Sequence, residues 1–317
     1  MKISTPVAAI ALIAAGAATP AFTQTQDAAS AAALGQINYT YNNSRPTPAA
    51  NQVGPLQVKG VKIRDLILAT PALRVRRGFA LHTSVVLKTP VGAQAGGADV
   101  IIGDILLRFV QVSRSRPNAR GEYPGNGEGP AILYSINTMM GLNAVEAGKP
   151  FVLPRDLQTR GGVTTYSRNG DDFLMLHKPG RTPFRSMTMG EYYTYLIDEN
   201  AGLVAEAKAN GYTGMEKTAA LVDRMRAELA ALTGAERAAP ACEIYSRTPA
   251  PCQRANAKPI GVIEAGFFKS KPRSSARLIT LEVRQQPKRA QDFNSQLVPL
   301  RNAMSQLDVG GLQTLLD

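Results

Sequence analysis

The sequence predicts an α+β protein: a strand-rich N-terminal part, a helical hairpin, and a small strand-plus-helix C-terminal part. Three observations carry this. Short β-branched or apolar runs, punctuated by Gly and Pro, fill residues 58–180. Three Thr-x-x-Glu pairs fall within residues 188–236, and each has the form of a helix-starting capping box. Strand-like runs and a stepped apolar tail then follow the two cysteines.

The chain opens on a signal-peptide pattern. Lys2 supplies a positive start, Val7–Ala18 is an unbroken run of apolar and small residues, and Thr19-Pro20-Ala21 offers small residues to a peptidase. Cleavage is expected after Ala21, with Thr23 as the alternative. The run is shorter than the roughly 20 residues that span a bilayer, so residues 1–21 read as a leader and not an anchor. No later segment has the length and apolarity to span. Residues 22–57 are rich in Ala, Gln, Asn, Thr and Pro and read as a flexible lead-in, with Ile37–Tyr41 as one early strand.

Within 58–180, Val58, Val61 and Ile63 precede an apolar stretch at Leu66–Leu68, and Leu73–Arg76 alternates. Both read as strands. Ser84–Leu87, Val100–Ile102 and Ile105–Val112 read likewise. Asn169-Gly170 between Val163–Ser167 and Phe173–His177 predicts a tight hairpin, because Asn-Gly readily takes two positive φ values.

Residues 181–317 change character. Thr188/Glu191, Thr213/Glu216 and Thr233/Glu236 predict helix starts. The first helix runs from Met189 to about Asn210 and stops at Gly211, with Tyr193, Leu196, Asn200, Leu203 and Ala207 on one face. The second runs from Gly214 to Leu232, with Met215, Val222, Met225, Leu229 and Leu232 at near-heptad spacing. The short link predicts a helical hairpin. The stripe covers under three heptads, which favours packing on the protein's own sheet over a coiled-coil dimer. Strands are expected at Ile260–Ile263, Phe267-Phe268 and Leu278–Val283. A closing amphipathic helix carries Phe293, Leu297, Leu300, Met304 and Leu307 and breaks at Gly310-Gly311.

Cys242 and Cys252 are the only cysteines. Short spacing and an exported address read as one structural disulfide. Nine intervening residues are not a CxxC redox pair.

The search for chemistry ends with few candidates. Two histidines, His82 and His177, cannot supply a zinc site once the cysteines are bonded. Asn169-Gly170-Asp171-Asp172 is the nearest thing to a calcium loop and reads better as turn chemistry. GxSxG and SxxK are absent. Gly148-Lys149 runs into Pro150, so it is no phosphate loop. Gly125–Gly129 (GNGEG) lacks a following helix and reads as a flexible loop. No cofactor, nucleotide or metal is expected. What remains is His177 with Asp171 or Asp172, a pair that would serve acid–base catalysis if a pocket formed around it.

The 36 Lys and Arg against 24 Asp and Glu give a net charge of +12. That balance suits anionic partners: phosphorylated envelope polymers, anionic lipid head groups or nucleic acid. The charge is spread along the chain without a dense basic run, which also fits simple solubility. The absence of Trp weakens a sugar-binding reading.

The succession FRSMTMGEYYTYL, ALVDRMRAELAALTGAERAAPAC, GVIEAGFFKSKPRSSARLITLEV and LDVGGLQTLL resembles a family of exported bacterial proteins with no assigned function. It covers roughly residues 178–317 and implies an envelope location, but no activity or binding residue. The expected role is a non-catalytic periplasmic binding or interaction protein contacting an anionic envelope component. The alternative is a hydrolase of unfamiliar type with acid–base residues near His177.

Overall fold

A computed structural model describes residues 32–41, 50–88, 100–112, 116–142, 148–245, 247–264, 266–269, 272–284 and 294–317. The expected signal peptide, residues 22–31 and 42–49 of the lead-in, and Phe293 lie outside the described residues.

A large sheet forms the centre. It contains β1 (Ile37–Tyr41), β2 (Phe79–Lys88), β3 (Ile102–Val112), β4 (Gly125–Asn126), β5 (Ala131–Ile136), β7 (Gln158–Arg160), β8 (Val163–Arg168), β9 (Asp171–Leu176) and β14 (Ile279–Arg284). The spatial order is β1-β2-β3-β5-β14-β9-β8-β7, with β4 on β3. β1 lies parallel to β2. A parallel neighbour needs a crossover, and helix α1 (Ala50–Leu68) lies on it. The other pairs are antiparallel. β14, from the C-terminal part, is laid between β5 and β9.

A smaller sheet joins β10 (Phe184–Ser186), β13 (Lys258–Ile263), β11 (Cys242–Ile244) and β12 (Thr248–Ala250), with β6 (Pro150–Val152) on β13. Three apolar clusters stack these parts into layers. Leu56, Ile63 and Ile67 of α1, with Leu300, Ala303 and Leu312 near the C-terminus, pack on one face of the large sheet. Tyr166, Phe173 and Met175 on its other face meet Phe151, Phe184 and Ile263 of the small sheet. Ile260 and Val262, pointing the other way from β13, meet the helical hairpin.

The hairpin follows the sequence closely. Helix α3 (Met189–Ala209) starts at a complete Thr188/Glu191 capping box and is C-capped by Asn210 before Gly211 at φ +71°. It packs against α4 (Glu216–Ala231). Val222 and Met225 are buried, and Leu229 and Leu232 pack half-buried beside them. The second complete box, Thr233/Glu236, starts the short α5 (Gly234–Ala238). Asn169 (φ +54°) and Gly170 (φ +86°) turn the β8–β9 hairpin.

Several expectations are corrected. Val58–Leu68 is helix, and that helix takes in the last residues assigned to the lead-in. Its buried positions are Leu56, Gly60, Ile63 and Ile67, a helical period, whereas Val58 is exposed. Gly60 lets the helix lie close, since a Cβ there would sit 3.3 Å from Val85. Leu73 and Arg74 end a helical turn, α2 (Pro71–Arg74), with Pro71 pre-shaped for its first position, and Val75 is its extended C-cap. Thr213 makes no cap: Gly214, at φ +91°, turns the chain away, and Met215 holds the cap position without a side-chain bond. Phe267-Phe268 lies in a loop. The closing helix α6 (Asn294–Ser305) ends before Gly310-Gly311, which sit inside α7 (Val309–Gln313), capped by Asp308. The Gly125–Gly129 segment is seated on β3 and is not a free loop. A Cβ on Gly125 would lie 2.2 Å from Val110, and one on Gly129 1.7 Å from the Phe109 carbonyl oxygen.

Candidate functional site

The sequence-derived residues do not converge. His177 follows β9 and is buried. Its Nδ1 lies 3.1 Å from the Lys178 carbonyl, which can only accept, so Nδ1 carries the proton. Nε2, 3.2 Å from Thr164 Oγ1, then accepts from that hydroxyl, and Thr164 and Thr159 hydroxyls lie 2.8 Å apart. Burial lowers the His177 pKa, and this outweighs the hydrogen bonds with Lys178 and Arg181 backbone, which raise it. Asp171 and Asp172 stand at the far end of the same strand, opposite Arg168 and Ser167. Asp172 accepts from Ser167 Oγ at 2.8 Å. Asp172 and His177 are five residue steps apart along extended chain, about 17 Å at roughly 3.3 Å per residue. His82 is in β2 beside Arg108 of β3. Among the described residues no group of His, Cys, Asp and Glu is disposed to hold a metal.

Cys242 and Cys252 are bonded to each other. The bond ties the start of β11 to the second residue after β12, closing that hairpin at its base.

One cleft, of about 490 Å³, does gather charged side chains. Four stretches far apart in sequence build it: the turn 178–182 after β9, the loop 264–269 after β13, Arg277 before β14, and Asp317. The first turn is closed by the Arg181 N–H donating to the Lys178 carbonyl at 3.0 Å, with Gly180 at φ +74°. The second is closed by Phe267 N–H to the Glu264 carbonyl at 2.9 Å. The topology brings the four together: β14 lies beside β9, and β13 leads out of the small sheet facing them.

The cleft carries four cations, Lys178, Arg181, Lys269 and Arg277, and two carboxylates, Glu264 and Asp317. Both carboxylates have partners. Glu264 lies 3.7 Å from Arg185 Nε. Asp317 pairs with Lys59 and accepts from the Ala276 N–H at 2.7 Å. Among the described residues, Lys178, Arg181 and Lys269 are exposed and make no ion pair.

Arg277 is the unusual member. It is only 9% exposed. Its backbone N–H donates to Oδ1 of the fully buried Asn137 at 2.9 Å, and its Nη1 donates to the Phe267 carbonyl. Asn137 is itself pinned, donating from Nδ2 to the Ile101 and Ser275 carbonyls at 2.9 and 2.8 Å. Arg277 Nε and Nη2 are buried and have no acceptor. These two atoms share one edge of the guanidinium, the edge whose parallel N–H bonds match two oxygens of an oxyanion. Burial first, and the nearby Arg181 charge second, lower the Arg277 pKa. Chemically, the cleft can bind and orient an anion.

Arg181 and Arg277 are not among the residues singled out from sequence. A signal was present: Lys269, Lys271, Arg273 and Arg277 fall in one stretch of nine residues.

Comparison with protein-family models, with curated proteins and with solved structures finds no match to this chain. What the protein does must therefore be read from its own geometry.

Proposed function

We propose that this chain is an exported, non-catalytic binding protein of the bacterial envelope that contacts an anionic component through the cationic cleft. The observation that carries the reading is the convergence of Lys178, Arg181, Lys269 and Arg277 on one cleft whose two carboxylates are already engaged. Such a site focuses positive potential where a ligand can enter. The leader-like N-terminus, the resemblance of residues 178–317 to exported bacterial proteins, and the Cys242–Cys252 bond support the location. No helix among the described residues is long and apolar enough to cross a membrane, which is compatible with it. A hydrolase reading centred on His177 has no supporting geometry: both ring nitrogens are occupied and the carboxylates are a strand-length away.

The test is binding of fluorescein-labelled polyphosphate, followed by anisotropy at two salt concentrations. Arg181→Glu with Lys269→Glu should weaken binding by at least about tenfold, because both charges face the ligand. Arg224→Glu with Arg226→Glu, an equal charge change on exposed hairpin positions, should leave it nearly unchanged. Equal weakening by both pairs would reduce the effect to net charge and overturn the reading.

A further inference from the structure

The cleft narrows the kind of anion, a step that rests on the binding role proposed above. We propose that the recognised group is a phosphate monoester, gripped side-on by the Nε and Nη2 edge of Arg277.

The first support is pre-organisation. Asn137 fixes the Arg277 backbone and the Phe267 carbonyl holds Nη1, so the fold sets the position of the enclosed, acceptor-free Nε and Nη2 edge. Buried donors without an acceptor are costly, and an oxyanion reaching the base of the cleft satisfies both at once. The second is charge. Four cations outnumber two carboxylates that are already engaged, and a dianion offsets that excess better than a carboxylate does. Burial first and the Arg181 charge second lower the Arg277 pKa, with Asp317 offsetting part of this, and a dianion beside the two arginines relieves the remaining repulsion. The third is size. The cleft, at about 490 Å³, is several times larger than a bare phosphate, which leaves room beside Phe267 and Gly266 for the group that carries the ester. A lipid head group and a soluble phosphate ester share this chemistry.

The test is calorimetric titration of the chain, purified from the periplasm of an expression host, with sn-glycerol 3-phosphate and, separately, with acetate. A parallel arm measures co-sedimentation with vesicles containing phosphatidic acid. The ester should bind at least about tenfold more tightly than acetate at pH 7.5. It should weaken as the pH falls through about 6, where a phosphate monoester takes up its second proton. Arg277→Lys keeps the charge but removes the paired edge, and should cost at least about tenfold for the ester. Arg181→Gln, at an exposed position that folding does not need, should weaken the ester independently. Binding to vesicles alone assigns the ester to a lipid, and binding to the soluble ester alone assigns it to a small molecule; either supports the proposal. Equal affinity for ester and acetate overturns it, as does an unaltered ester affinity in both variants, while polyphosphate binding in the same preparations would leave the broader role standing. Loss of polyphosphate binding in the unaltered protein would remove both.

Discussion

At His177 the physical chemistry of a single side chain decides its role. The ring is enclosed, donates to a carbonyl and accepts from a hydroxyl, so the neutral form is the one the fold selects. Its folded pKa is lowered, with burial the main cause. The sign follows by linkage: a depressed pKa stabilises the fold above the unfolded value of about 6.5 and loses that contribution as the pH falls below it. Unfolding midpoints measured from pH 7.5 to 5.5 should therefore decline, and His177→Gln should flatten that decline; parallel curves for the two proteins would show that the ring is not buried neutral. Sequence gave no access to this distinction. A histidine in a strand with two aspartates upstream looks like an acid–base pair until the strand's length is laid out in space. Arg277 is the converse case. Alone it is one arginine among many, and its significance comes from Asn137, a residue 140 positions away whose positive φ (61°) turns its side chain into a clamp.

Among the elements, the helical hairpin was the most legible, because caps and period are local signals. Two of the three Thr-x-x-Glu pairs close as boxes. Thr188→Ala should cost about 1 kcal/mol, as lost N-caps typically do, while Thr213→Ala should change stability by a few tenths of a kcal/mol at most. Urea denaturation of the two variants separates them; equal losses would mean that Thr213 caps α4 after all. Glu191 adds a pH signature. Its pKa is lowered to about 2, chiefly by hydrogen bonds from Arg185 and then by those from Thr188. A depressed carboxylate stabilises the fold above its unfolded pKa of about 4.5 and gives that up as the pH falls toward about 2. The pair is considerably exposed (side chains 46% and 41%), so screening holds the loss to under about 1 kcal/mol. Arg185→Gln should shrink the difference in stability between pH 5 and pH 3, measured by denaturation. On the apolar stripe, Met225 is 4% exposed while Leu229 is only half-buried. Met225→Ala should cost about 2–5 kcal/mol and Leu229→Ala less, with no change in mass by light scattering. Helix α1 was the least legible element. From sequence, Val58, Val61 and Ile63 read as part of a strand, yet Leu56, Gly60, Ile63 and Ile67 form the buried face, and a glycine in that face carries no hydrophobic signal.

On the scale of the whole molecule, the α+β class could be read from the sequence, but the layering could not. β14 enters the large sheet between β5 and β9, so a C-terminal segment that looks separate along the chain completes the centre of the fold. The same long-range placement assembles the cleft from residues 178 to 317. No spacing rule connects those residues, and only the basic stretch from Lys269 to Arg277 hinted at them. The disulfide, by contrast, was legible because the chain has two cysteines and one pairing. It closes a loop of sequence separation 10, and Cys242→Ser with Cys252→Ser should lower stability by about 2–3 kcal/mol, read from denaturation of both proteins under non-reducing conditions. The cleft's role is tested most directly at its arginines. The side-chain Nε–Hε resonances of Arg181 and Arg277 can be followed by heteronuclear NMR as sn-glycerol 3-phosphate is added. A saturable shift at Arg277 and Arg181, with Arg224 and Arg237 unmoved, is the predicted result; no shift at Arg277, or equal drift at all four, would contradict an anion site in this cleft.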